Sequence, residues 1–140
     1  METTLAILKP DTVAAGNAGK VLAHLEAEGF TVRGLKVLHL SVAQARAFYA
    51  VHRERPFYGS LVAFMTEGPV VPVALERGNA VARLREVMGA TDVAEAAAGT
   101  IRNLYGTSIE RNAIHGSDSV ENALQELAFF FSSAELIAAR

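Results

Sequence analysis

The residues with the clearest chemical meaning lie near the C-terminal end of the chain, in Asn112-Ala113-Ile114-His115-Gly116-Ser117-Asp118-Ser119. A neutral imidazole is available near pH 7, because histidine titrates close to neutrality. Histidine is also one of the side chains that form covalent intermediates. The glycine leaves one side of the ring clear, and the polar residues that follow can orient the ring. The pattern therefore predicts a nucleophile at His115.

The other three histidines carry no comparable signal. His24 lies in a predicted helix, His39 in a predicted strand and His52 near a predicted helix end. Each is interpreted as a structural or surface residue.

Nucleotide phosphates, if they bind, must be held by side chains. The segment Gly16-Asn17-Ala18-Gly19-Lys20-Val21 lacks the four-residue spacer of a Walker A loop and the Ser or Thr after the lysine. No G-x-G-x-x-G sequence is present either. Gly16 and Gly19 are interpreted as turn and helix-start residues.

Three cationic residues and one aromatic residue could supply such a site. Lys9 ends the first predicted strand, Arg85 lies in the helix before Gly89, and Arg102 lies in a long loop. A lysine at a strand end is ordinarily solvated, but arginine forks match phosphate oxygens bidentately. Phe57 stands in a turn after Pro56, as a core residue or an exposed stacking surface, and the flanking residues favour exposure.

The elements that must position these residues follow from hydrophobic periodicity and turn residues. Strands are predicted at 3–9, 31–40, 70–75 and 112–115, and helices at 19–28, 42–51, 60–65, 79–88 and 119–129. Ser41 and Gln44 form a capping box, and Asp118 caps the last helix. Pro72 suggests an edge strand or a bulge. Residues 90–111 have no long periodic element and are predicted to form a functional loop.

The order of these elements predicts the fold class. With the inserted pair of helices set aside, the order is the split βαβ pattern of a ferredoxin-like α+β sandwich, a four-stranded antiparallel sheet covered by helices. The length of 140 residues predicts a single domain over residues 1–140.

Composition narrows the function classes. The net charge of −2 gives no basic face for duplex DNA, and the lack of cysteine excludes thiolate catalysis and disulfides. Leu5–Leu8 is too short for a signal peptide or a membrane span, so we expect a soluble cytoplasmic protein with no membrane partner and no stable nucleic-acid partner. The apolar fraction of 51% reflects either the many alanines or surface buried in an oligomer.

The chain resembles the nucleoside diphosphate kinases over essentially its whole length. Six segments carry the resemblance in the right order: Ala6 to Asp11, Arg55-Pro56-Phe57, Gly68 to Val71, Arg85 to Thr91, Gly99-Thr100-Ile101-Arg102, and Asn112 to Ser119.

The resemblance implies a set of site residues. His115 would be phosphorylated, Glu126 would hold its ring, Tyr49 and Ser117 would lie beside it, and Lys9 with Asn112 would contact the sugar hydroxyls. Lys9 would also lie near the transferred phosphate. Arg85, Thr91 and Arg102 would bind phosphates, and Phe57 would stack on the base with Leu61 and Ile109 nearby.

The resemblance also implies a reaction and an assembly. The γ-phosphoryl group of a nucleoside triphosphate, mainly ATP, would pass through phosphohistidine to a nucleoside diphosphate, with Mg²⁺ held chiefly by the nucleotide phosphates rather than by the protein. The family forms homotetramers or homohexamers. Many relatives have proline where this chain has Val93 and again near Ala98, and the missing prolines favour the tetramer.

Two alternatives come from other function classes. A non-catalytic nucleotide or single-strand RNA binder could use the same fold, but it should show aromatic residues on its central strands and a basic face, and neither is evident. A histidine phosphatase would favour an arginine directly before the His-Gly pair, where this chain has Ile114.

Overall fold

A computed structural model describes residues 1–140 and contains one sheet and eight helices. Strands β1 to β4 span Glu2–Leu8, Thr31–Leu35, Val71–Arg77 and Ile114–Gly116. Helices α1 to α8 span Pro10–Ala14, Ala18–Ala27, Val42–Phe48, Tyr58–Met65, Ala80–Met88, Ile101–Tyr105, Val120–Phe130 and Ser133–Ala138. Two 3₁₀ turns span Ala50–His52 and Val93–Glu95.

The sheet has the order β2-β3-β1-β4, and all three strand pairs are antiparallel. This order, with helices on the sheet, confirms the predicted ferredoxin-like α+β class. The short strand β4 pairs only with β1, so it forms one edge of the sheet and places His115 opposite Ile7.

The alternation of side chains along β1 divides the core into two layers. Ala6 and Leu8 face a cluster with α2 and α5, while Leu5 and Ile7 face a second cluster with α3, α4 and α7. Since the strand is apolar on both faces, it must lie at the centre of the sheet, where helices cover both sides. The candidate site residues of β4 are therefore anchored against an interior strand that is buried from Thr4 to Leu8.

The predicted long elements agree with the observed ones to within two residues at most ends, but three helices are additional. Helix α1 begins at Pro10, which favours the first helical position because its missing N–H needs no partner there. Helix α6 spans five residues, too few for periodicity to reveal, and its N-cap Thr100 accepts a hydrogen bond from the Asn103 N–H. Helix α8 begins with a capping box of Ser132 and Glu135, a signal that the sequence contains.

The prediction for Pro72 is wrong, because β3 is an interior strand. Pro72 is the second residue of β3 and lies one position beyond the register with β2, whose Leu35 pairs with Val73. The bulge lies in β2 instead, between Val32 and Gly34, where the register shifts. Strand β2 is correspondingly shorter than predicted, and its continuation touches β3 again only through a bridge of Leu38 with Val70.

The N-cap of α7 also differs from the prediction. The capping side chain is Ser119, whose hydroxyl accepts a hydrogen bond from the Asn122 N–H, while Asp118 accepts one from the Asn122 side chain. None of the helices is both long and apolar enough to span a membrane.

Candidate active site

A cleft of about 480 Å³ opens beside β4. Eleven of the twelve residues predicted for the site line it, namely Lys9, Tyr49, Phe57, Leu61, Arg85, Thr91, Arg102, Ile109, Asn112, His115 and Glu126. The twelfth, Ser117, is fully buried and touches the cleft only through Glu126. The fold thus brings together residues that are up to 117 positions apart, from Lys9 to Glu126.

The imidazole of His115 is held through one nitrogen. Its Nε2 lies 2.6 Å from Oε1 of Glu126, which projects from α7. The hydroxyl of Ser117 donates to the same oxygen at 2.9 Å. A carboxylate only accepts hydrogen bonds, so Nε2 must carry the proton, and Nδ1, which has no protein hydrogen bond, keeps its lone pair.

The surroundings of His115 favour this neutral form. Burial lowers the pKa of His115 below its ordinary value, and the nearby charges of Lys9 and Arg102 act in the same direction, against the opposing effect of Glu126. At pH 7 the ring is therefore neutral and nucleophilic at Nδ1.

Aromatic side chains fix the plane of the imidazole. Phe48 packs edge-on at a centroid distance of 5.4 Å, and Tyr49 packs at 6.0 Å with an interplanar angle of 87°. The hydroxyl of Tyr49 is buried and has no hydrogen-bond partner. Burial raises the pKa of Tyr49, and the Glu126 charge adds to this effect, so the phenol stays protonated and can donate.

The role of Gly116 differs from the sequence interpretation. Successive residues of a strand face opposite sides, so Gly116 points away from the side of His115 and into the layer formed with α5. A Cβ added there would lie 2.5 Å from the Met88 sulfur and 3.1 Å from Leu84. The glycine therefore permits close packing of α5 on β4 rather than clearing space beside the ring.

Lys9 is buried, in contrast to an ordinary solvated lysine at a strand end. It is the N-cap residue of α1, and its Nζ donates to Asn112 Oδ1 at 2.8 Å. Asn112 in turn donates to the Thr91 carbonyl at 3.1 Å. Burial, with a contribution from Arg102, lowers the pKa of Lys9 to about 8, so the amine is largely protonated at neutral pH.

Two arginines complete a cluster of positive charge. Arg102, which lies in α6 rather than in a loop, donates to the carbonyls of Gly89 and Ile114 at 3.1 and 2.8 Å. Its Nε is buried without a partner. Burial and then Arg85 lower the pKa of Arg102 to about 10. Lys9, Arg85 and Arg102 form no ion pair with a carboxylate. The charges of Asp11 and Glu110 only partly offset the lowering of the Lys9 pKa.

The far end of the cleft is apolar and open. Phe57 is 46% exposed and Ile109 61% exposed, and they line the cleft together with the buried Leu61.

Five further residues line the cleft but were not predicted from the sequence: Val51, His52, Glu110, Asp118 and Asn122. His52 follows Tyr49 by three residues and stacks near it, so helical spacing could have indicated it. Glu110 accepts a hydrogen bond from Ser60, a contact over 50 residues that leaves no local signal.

The comparisons with known proteins agree on one family. The family model described as nucleoside diphosphate kinase matches residues 2–136. A nucleoside diphosphate kinase from Chlamydia abortus is 55% identical and one from Chlorobium chlorochromatii 58% identical, each over 98% of this chain and 97% and 98% of the relative.

Solved structures give the same result. The Aquifex aeolicus nucleoside diphosphate kinase superposes with a TM-score of 0.93 at 45% identity, covering 96% of this chain and 97% of that chain. A Halobacterium salinarum nucleoside diphosphate kinase in complex with CDP superposes with a TM-score of 0.91 at 39% identity, covering 96% and 90%.

The titration of His115 tests the geometry of the pair with Glu126. We expect a pKa below the ordinary value and an Nε2-protonated tautomer in the ¹H–¹⁵N spectrum of the histidine rings. Replacing Glu126→Gln removes a charge that favours the protonated ring, so the pKa should fall further. The control Glu121→Gln, an exposed change on the same helix, should leave it unchanged. A rise in Glu126→Gln contradicts the assignment.

Proposed function

The chain belongs to the nucleoside diphosphate kinase family, and we propose that it transfers the γ-phosphoryl group of a nucleoside triphosphate to a nucleoside diphosphate through a phosphohistidine at His115. Its relatives are phosphotransferases that act on nucleotides, and this chain is one as well. The family match displaces both alternatives, the non-catalytic binder and the histidine phosphatase.

One observation carries the proposed route: Nδ1 of His115 is free while Nε2 is engaged by Glu126. The Nδ1 lone pair would attack the γ-phosphorus, forming an N–P bond while the bond from the γ-phosphorus to the bridging oxygen breaks. The electron pair of that bond leaves with the nucleoside diphosphate. The Nε2 proton stays in place, and the positive charge that develops on the ring is stabilised by the Glu126 carboxylate.

The second half of the reaction reverses the first. An oxygen of the β-phosphate of the incoming nucleoside diphosphate attacks the phosphorus, the N–P bond breaks, and the electron pair returns to Nδ1. No water is activated in either half. The two nucleotides would use the same cleft in turn, which predicts ping-pong kinetics.

The cations of the cleft supply what phosphoryl transfer needs most, namely positioning and neutralisation of charge. Lys9, Arg85 and Arg102 would bind the phosphates, with Thr91 beside them. The unpartnered Nε of Arg102 and the unpartnered hydroxyl of Tyr49 support this role, since a buried donor without a partner is costly unless a ligand satisfies it.

Lys9 and Asn112 would contact the sugar hydroxyls, and Phe57, Leu61 and Ile109 would enclose the base. The exposed ring of Phe57 can stack on any base, because every base has a π face. Glu110 is the one carboxylate near Ile109 in sequence, and it already accepts a hydrogen bond from Ser60. The CDP complex of the Halobacterium salinarum relative supports a nucleoside diphosphate as a ligand of this chain.

The residues of the cleft fit a Mg²⁺ ion that arrives with the nucleotide. No group of three His, Cys, Asp or Glu residues could hold a metal ion by itself, and Glu126 is engaged by His115 and Ser117. The nucleotide phosphates and water would thus provide most ligands, with the exposed carboxylate of Asp118 within the cleft lining. When bound, the ion would offset phosphate charge.

The proposal has three wider parts. A single domain over residues 1–140 is supported by the one sheet and by the family match over residues 2–136. With ATP as main donor, the enzyme would maintain the pools of nucleoside and deoxynucleoside triphosphates. A cytoplasmic location stays a prediction.

The covalent intermediate is tested with labelled ATP and no acceptor. We expect a phosphoenzyme that is labile in acid and stable in base, as a phosphoramidate is, and parallel lines in double-reciprocal plots. His115→Asn should abolish labelling and transfer, because no other nucleophile replaces Nδ1. The control His24→Asn, on α2 and outside the cleft, should keep both. Near-normal turnover in His115→Asn refutes the route.

Base tolerance is tested by comparing kcat/KM for ADP, GDP, CDP, UDP and dTDP. A site that stacks on the base should give values within about a thousandfold of one another, which corresponds to roughly 4 kcal/mol. Dideoxy substrates should be much poorer than deoxy ones, because the expected contacts centre on the 3′ hydroxyl. A wider spread among bases would mean that a base edge is read, and Glu110 and His52 would be the residues to change first.

The assembly is tested by light scattering at micromolar concentration. We predict a homotetramer rather than a hexamer, because residues 91–98 contain no proline. Proline at a compatible position typically adds about 0.4–1 kcal/mol by restricting the unfolded chain. The family resemblance implies that a hexamer would pack this loop near its threefold axis, where a rigid loop helps. A mass of about four chains supports the prediction, about six chains refutes the choice, and one chain refutes oligomerisation.

A further inference from the structure

The backbone between Asn112 and His115 contains a turn that an alanine rarely adopts. Ala113 has φ of +74°, in the left-handed region that favours glycine, and it is fully buried. The Ile114 N–H donates to the Asn112 carbonyl at 2.9 Å, so the turn is a three-residue γ-turn centred on Ala113. Such a turn persists only when surrounding contacts hold it.

Three hydrogen bonds from one short segment hold this turn. Oδ2 of Asp11 accepts from the Ala113 N–H at 3.0 Å. The Ala113 carbonyl accepts from the Thr12 hydroxyl and from the Lys9 N–H, each at 2.9 Å. All three partners lie where β1 passes into α1, about 100 residues away in sequence.

The turn lies between the two ends of the proposed reaction site. Asn112, before the turn, bonds to the Lys9 amine, and β4 begins immediately after the turn and carries His115. Asp11, Thr12 and Ala113 themselves do not line the cleft. A change in this turn would therefore alter the position of His115 relative to Lys9 and Asn112 without removing any group that faces the substrate.

We propose that Asp11 and Thr12 are positioning residues, which hold the strained Ala113 turn and so set the distance between the imidazole and the phosphates bound by Lys9. This inference rests on the proposed function. A role in stability alone does not explain why Oδ1 of Asp11 is buried without a partner. Only Oδ2 accepts a hydrogen bond, from the Ala113 N–H. Burial of the unsatisfied Oδ1 is the energetic cost of having a carboxylate at this position.

The test measures phosphorylation of His115 by ATP in a single turnover, together with KM and the melting temperature. Asp11→Ala should slow phosphoryl transfer by about 100-fold, the effect expected of a misplacement near 1 Å, with a smaller rise in KM. Asp11→Asn retains an acceptor oxygen and should restore most of the rate. Thr12→Val should give a smaller loss, because the Ala113 carbonyl keeps its bond from Lys9.

Glycine at position 113 separates positioning from stability. Gly adopts positive φ without strain, so Asp11→Ala combined with Ala113→Gly should recover at least tenfold of the lost rate. The control Glu135→Ala removes another first-turn carboxylate that bonds a backbone N–H, in a capping box outside the cleft. It should lower the melting temperature and leave the rate unchanged.

The outcomes distinguish the two claims. If the wild-type protein forms no phosphohistidine, the proposed function fails. If it does, and both Asp11→Ala and Thr12→Val keep the wild-type rate at a temperature where they are folded, the positioning role is overturned. A rate lost in Asp11→Ala and not recovered by the added glycine overturns the role of the strained turn. If Asp11→Ala does not fold, the rate of Thr12→Val is compared with and without Ala113→Gly, and a rate lost in Thr12→Val and not recovered by the glycine overturns the role of the strained turn.

Discussion

The burial of positive charge without a carboxylate partner is the constraint on which the site depends. Lys9 and Arg102 are both more than nine-tenths buried, and their hydrogen bonds go to an amide oxygen and to backbone carbonyls. Buried charges are costly unless they are paired. Besides burial, the charge of Arg102 lowers the pKa of Lys9, and the charge of Arg85 lowers the pKa of Arg102. The rigid core of β1, β4, α5 and α6 must therefore hold them in place. An anionic ligand relieves the cost, so nucleotide binding and folding stability are coupled.

The backbone at Ala113 also carries an energetic cost that the surrounding structure must offset. A non-glycine residue at positive φ costs about 1–3 kcal/mol, which is a large part of the 5–15 kcal/mol that separates a folded domain from its unfolded state. The fold concentrates this strain beside the cleft and surrounds it with well-packed apolar layers. Gly116 belongs to that support, because its missing side chain allows Met88 and Leu84 to pack directly against β4. Strain before the first residue of this short strand and close packing at its last residue leave His115 few alternative positions.

The sequence predicts what is periodic or locally distinctive. The four strands and five longer helices follow from hydrophobic spacing, and His115, Lys9, Arg85, Arg102 and Phe57 stand out by residue type and neighbours. Glu126 and Ser117 have no such signal, and their assignment came from the family resemblance. The Glu126 carboxylate oxygen meets both His115 and the Ser117 hydroxyl only when α7 is packed on β1, so no local sequence pattern indicates this contact. The turn at Ala113 cannot be predicted from the sequence, because its hydrogen-bond partners are about 100 residues away and alanine is not a residue type that indicates a positive φ. The prediction for Pro72 was wrong because the sequence around a proline near the start of an interior strand does not differ from that around a proline in an edge strand.

The lowered pKa values of His115 and Lys9 set the range of pH in which both have the state that transfer needs. The pKa of His115 is lowered, so the ring loses its proton at a pH below the ordinary histidine value of 6.5. The pKa of Lys9 is lowered to about 8, so its positive charge is present below that value and is lost above it. Between these limits the imidazole is neutral while the lysine is charged. Burial lowers both pKa values, but for the histidine this widens the usable range on the acid side, whereas for the lysine it narrows the range on the alkaline side. Bound phosphate counteracts both effects, because an adjacent anion raises the pKa of the imidazolium as well as that of the ammonium. It therefore extends the range on the alkaline side and shortens it on the acid side.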